Sequence, residues 1–137
     1  EAELTKHVLV IESDAGAFAP VGFAVNDEAM DAATSKKMQS MVASIAELLR
    51  PIGATRATGG GGDSDIEPSV QKGVPGLSLD TDPSKYFWYH HTQGDTPDKL
   101  NPADVSKCAA ALGVMAFVAA DMTETFPRGN VAARPRR

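Results

Sequence analysis

The stretch HVLVIE (residues 7–12) is apolar and β-branched on both faces, with no polar alternation until Glu12. A strand that shows one wet face alternates, whereas one buried on both faces does not, so this run reads as a buried, parallel strand. VPGLSLD (residues 74–80) reads as a second short strand. Between them Met38, Met41, Val42, Ile45, Leu48 and Leu49 fall at helical period, a single apolar stripe. Thr34 or Ser35 can cap that helix and Pro51 limits its end. SDIEPSVQKG (residues 64–73) gives a short helix capped by Ser64 or Asp65. Strand, helix, short helix and strand in this order point to an α/β sheet.

Outward from this core, SDAGAFAPVGFAV (residues 13–25) is broken by Gly16, Pro20 and Gly22 and reads as a loop leaving the first strand. GATRATGGGGDSD (residues 53–65) holds four consecutive glycines. A phosphate loop needs Lys and then Ser or Thr after its last glycine. Here Asp63 follows, and Asp63 and Asp65 would repel phosphate, so a flexible or close-approach loop is the reading. LNPADVSKCAAALGVMAFVAADMTETF (residues 100–126) opens with Asn101 as N-cap, Pro102 in the first turn and Asp104 near the positive end of the helix dipole. Residues 108–120 are apolar nearly all round, so this helix is expected to be largely buried.

The chain has 137 residues, a 42% hydrophobic share and a net charge of −5. That is one domain or less, with enough apolar material for a core. The acidic balance argues against nucleic acid as a partner, which needs a basic stripe. The basic residues Arg128, Arg134, Arg136 and Arg137 cluster in the tail, and residues 128–137 read as a disordered end. Cys108 is the one cysteine, so no internal disulfide forms, and its apolar setting predicts a buried, unreactive thiol. No apolar run reaches the roughly 18 residues of a membrane span. The chain opens almost directly on a strand, so an upstream part of the protein is expected to be missing.

KYFWYHHTQGDT (residues 85–96) gathers four aromatics and two of the three histidines just past the second strand. Asp14 lies just past the first. If both strands run parallel, Asp14, His90 and His91 meet at the carboxyl edge of the sheet, where open α/β sheets form their sites. Carboxylate and imidazole suit zinc. One Asp and one His are too few on their own, and a structural alternative stays open in which Asp14 caps a turn and His91 bonds a backbone carbonyl. Other chemistries fit worse. The Gly-x-Ser-x-Gly pattern of α/β hydrolases is absent. Cys108 lies mid-helix, and Glu12 with Asp14 lacks an acid placed opposite for glycoside work.

VIESDAGAFAPVGF (residues 10–23), GVPGLSL (residues 73–79) and YFWYHHTQGDT with DKLNPADV (residues 86–96 and 98–105) resemble the co-catalytic di-zinc aminopeptidase and carboxypeptidase family. The resemblance runs in order through residue 127 and implies a three-layer α/β/α fold with a mostly parallel sheet, with residues 1–127 forming the C-terminal part of its catalytic domain. It further implies a two-zinc site in which Asp14 matches a ligand of the first metal and His91 the late histidine ligand of the second. His90 then supports from beside the ligand. Tyr86, Phe87, Trp88 and Tyr89 make a dry wall around the imidazole, and Asp95 and Thr96 tie down the loop. The family's earlier histidine, bridging aspartate and paired glutamates, one of them the general base, would all lie upstream of Glu1.

The expectation is thus a zinc-dependent exopeptidase acting on dipeptides or the terminal residues of small peptides. The isolated chain would be inactive, and the whole protein secreted, lysosomal or periplasmic, with a homodimer left open. A non-catalytic, receptor-like or binding homologue of the same fold and an inert fragment are the alternatives.

Overall fold

A computed structural model of the chain describes residues 3–62 and 64–130. Its sheet is built on the two strands that the sequence marks. β1 (Val10–Glu12) and β4 (Gly76–Thr81) pair in parallel, with Val10 opposite Gly76 and Glu12 opposite Ser78. Between them in the chain come β2 (Pro20–Val25) and β3 (Arg56–Thr58), which are parallel to each other. β2 is antiparallel to β4, with Phe23 opposite Leu79, so the order is β1-β4-β2-β3 and two of the three pairings are parallel.

β2 corrects the reading of residues 13–25 as a loop. Pro20 occupies the first strand position, where a missing N–H costs least. The register with β4 shifts between Pro20 and Gly22, the signature of a bulge. A Cβ on Gly22 would sit 2.0 Å from the Arg56 carbonyl oxygen. The residues that look like breakers are therefore a strand start and a close approach of β2 to β3.

The helix α1 (Ala32–Ala46) buries Met38, Val42 and Ile45 against Phe23, Val25, Leu77 and Leu79. Its cap is Asp31, whose carboxylate accepts from the Thr34 N–H at 2.8 Å, and not Thr34 or Ser35. Ser35 instead donates to Asp27. Pro51 lies inside a 3-10 segment (Glu47–Ile52) that prolongs the helix until Gly53, left-handed at φ 80°, stops it. Leu48, assigned to the apolar stripe, is exposed.

On the same face, touching α1, lies α4 (Pro102–Asp121), with Asn101 accepting from the Ala103 N–H as expected. Burial falls on one side only, at Cys108, Ala111, Met115 and Ala119, while Phe117 is 71% exposed. A largely buried helix is the expectation because alanines make it look apolar all round, yet one sheet can cover only one face of it. By length and composition alone, α4 is apolar enough to cross a membrane. In this fold its buried side packs into the sheet core.

The opposite sheet face carries the one-turn helix α2 (Glu67–Val70), whose Val70 lies against Gly76. Neither Ser64 nor Asp65 caps it. The N–H groups of Asp65 and Ile66 both donate to the Glu12 carboxylate at 3.1 Å, an acceptor more than fifty positions away in the chain. The tail also differs from expectation. Arg128 donates to the carbonyls of His7 and Leu4, and Asn130 N–H to Ala29, so residues 128–130 are held against the body. Asp63 and residues 131–137, with Arg134, Arg136 and Arg137, lie outside the described residues.

Candidate metal centre

Because β1 and β4 are parallel, their carboxyl ends finish at the same edge. The chain leaving β1 is pinned to the end of β4 at two points. The buried Thr81 hydroxyl donates to Ala15 O at 2.8 Å, and Asp82 N–H to Ala19 O at 2.9 Å. This places Asp14 beside the segment that follows β4. There Asp82 caps a 3-10 turn (Pro83–Lys85) through Ser84 N–H, and the turn runs into α3 (Tyr86–Tyr89). α3 delivers the histidine pair.

Asp14, His90, His91 and Asp95, 77 positions apart between Asp14 and His91, line one cavity of about 230 Å³. Gly16, Phe18, Tyr86, Tyr89, Lys99 and Leu100 complete its wall. His90 stacks on Tyr86 with ring centroids 4.5 Å apart, and His91 on His90 at 3.9 Å. The stack fixes both imidazole planes. His91 is the one non-glycine residue with positive φ, at 55°, among the described residues. That conformation costs free energy in an L-residue and recurs where a side chain must be aimed.

The aromatic wall is only half what the sequence suggests. Tyr86 and Tyr89, three apart on one helical turn, face the cavity. Phe87 and Trp88 do not line it and are 78% and 67% exposed, although the Phe87 ring meets Tyr86 and His90 edge-on at 5.0 and 6.1 Å. Asp14, His91 and Asp95 are themselves exposed, so these residues form an open site. Thr96 does not line the cavity and holds the loop. Its hydroxyl donates to Asp98, its N–H to Gly94 O at 3.0 Å, and its carbonyl accepts from Lys99 N–H. Asp95 serves both the wall and, through its N–H to Thr92 O, the turn. Lys99, Leu100, Gly16 and Phe18 were missed by sequence reasoning. The signal for the first two was their place directly after the GDT turn.

Cys108 is buried behind this wall, its Sγ 3.2 Å from Phe18 O. Burial, reinforced by the Asp104 charge, pushes its thiol up from the ordinary range. It is poorly suited to act as a nucleophile at neutral pH.

Carboxylate oxygen and imidazole nitrogen are zinc donors in kind. In number they fall short, for no group of three His, Cys, Asp or Glu side chains converges among the described residues. The model of peptidase family M28 matches residues 1–116. The chain belongs to peptidase family M28. It is 37% identical over 128 residues to carboxypeptidase Q of Mus musculus, covering 93% of this chain and 26% of that protein. Carboxypeptidase Q of Xenopus laevis is 40% identical over 120 residues, with 88% and 24% covered. A crystal structure of a peptidase M28 precursor from Shewanella amazonensis superposes with a TM-score of 0.77 at 31% identity, covering 94% of this chain and 28% of that one. The chain thus spans about a quarter of the length of the relatives it matches.

Proposed function

We propose that these residues form part of the active site of a zinc-dependent exopeptidase that cleaves dipeptides or terminal residues of small peptides. The observation that carries the reading is the single cavity shared by Asp14 and His91, two donors far apart in the chain. Membership of the M28 family supports the peptidase class. Asp14 would hold one of two zinc ions through its carboxylate and His91 the other through its imidazole. When bound, zinc polarises the scissile carbonyl and lowers the pKa of a bound water. The Tyr86–His90–His91 stack keeps the ligating ring in one plane, the role of groups that surround a ligand and set its orientation. The other ligands and the glutamate that takes the water's proton are supplied from outside these 137 residues. The resemblance of the site motifs to their family also favours a secreted, lysosomal or periplasmic protein.

The test is to measure zinc content and dipeptide hydrolysis in the whole protein, in His91→Ala and Asp14→Ala, and in the isolated 137-residue chain. Each substitution should lower zinc content and remove most activity, and the isolated chain should hydrolyse nothing. A His91→Ala protein with full zinc and full activity would overturn the assignment.

A further inference from the structure

The cavity contains one basic side chain that metal binding does not use. Lys99 is the one lysine or arginine among its lining residues, set against the carboxylates of Asp14 and Asp95. A peptide attacked at its C-terminal bond carries a free carboxylate one residue from the scissile carbonyl. Asp95, a lining carboxylate with no metal to neutralise it, would repel that group, so a cation placed beside it favours acceptance in this cavity.

Lys99 is built to be that cation. It ends a 3-10 turn (Pro97–Lys99), and its N–H is tied to Thr96 O at 3.0 Å. Its ammonium is held by Asp98, which is outside the cavity wall and is itself held by the Thr96 hydroxyl. An ammonium has three N–H donors, and one to Asp98 leaves two free. The lysine side chain is 40% exposed, so those donors remain open to a ligand.

We propose that Lys99 receives the terminal carboxylate of the substrate, making the free C-terminus the feature this part of the site selects. The inference rests on the exopeptidase reading above and names the end of the peptide that is recognised. Lys99 breaks no bond. It fixes which peptide bond reaches the Asp14 and His91 side of the cavity.

The experiment uses the whole zinc-loaded protein with Lys99→Met and Lys99→Arg. One dipeptide is supplied as the free acid and as its C-terminal amide. Loss of a charged hydrogen bond predicts a KM for the free acid about tenfold higher or more in Lys99→Met, with kcat little changed. The amide should show the same KM in both proteins, and Lys99→Arg should recover most of the free-acid affinity. Unchanged zinc content and thermal midpoint show that the variant is folded and loaded. Equal effects on acid and amide, or no effect on either, would overturn the role of Lys99 while the peptidase reading stands. If the unsubstituted protein cleaves neither substrate, the peptidase reading fails and the role of Lys99 falls with it.

Discussion

Met38, Val42 and Ile45 of α1 are at most 6% exposed, whereas no residue of α3 or of the 3-10 turns on either side of the histidine loop is buried. The first region is held by apolar area removed from water. The second is held by short-range turns such as Thr92 N–H to Tyr89 O, by ring stacking, by the Asp82 cap on Ser84 N–H and by the Thr96 hydroxyl bond to Asp98. It also holds the left-handed His91. The contrast teaches that stability and candidate chemistry are carried by different residues, so most substitutions should move one and spare the other.

The largest effect should come from the packed side. Phe23 is fully buried between α1 and the neighbouring strands, and Phe23→Ala should destabilise the fold by about 3–5 kcal/mol, read from the urea midpoint. A loss well under 1 kcal/mol would mean that the sheet face is loosely filled. On the other side, His91→Gly relieves the positive φ and should raise stability by about 1 kcal/mol, while lowering zinc content of the whole protein. A variant that is both less stable and fully loaded with zinc would erase the contrast.

Acid should act on the caps before it touches the core. The Thr34 N–H bond holds the Asp31 carboxyl below its usual 3.8, and the Ser84 N–H bond does the same for Asp82. A folded-state pKa that is depressed means stability present above the unfolded value and lost as pH falls through the folded one. Unfolding midpoints should therefore hold steady down to about pH 4 as far as these two groups are concerned, then fall. Asp31→Asn, which keeps the cap oxygen without the charge, should flatten that fall, and an unchanged acid slope would count against it. The smallest change is expected at Trp88. Its ring is 67% exposed, so Trp88→Ser should shift stability by no more than about 0.5 kcal/mol. A larger loss would show that the outer half of the aromatic quartet is packed after all.

Much of this was legible in the chain. β1, β4, α1 and α4 each carry a run or period long enough to stand above noise, and Asn101-Pro102 marks its helix start from local bonding alone. That Asp14 and the histidine pair share one cavity was legible because each follows a legible strand. β2 was hidden because PVGFAV opens on a proline and carries the glycine that lets β3 approach. The anchor of the turn entering α2 was hidden because its acceptor, Glu12, comes from a strand more than fifty positions away.

By itself the sequence determined what depends on neighbours a few positions away: helical stripes, buried runs, turn residues, and a pair of donors suited to zinc. Only the tertiary structure decided that Tyr86 and Tyr89 line the cavity while Phe87 and Trp88 stay out of its wall, that α4 buries one face, and that Lys99 joins the wall with Asp14. Periodicity says which residues share a face, but not which face meets the sheet or which loops finish at the same edge. Those are settled by the pairing of strands distant in sequence, here by β1 lying parallel to β4.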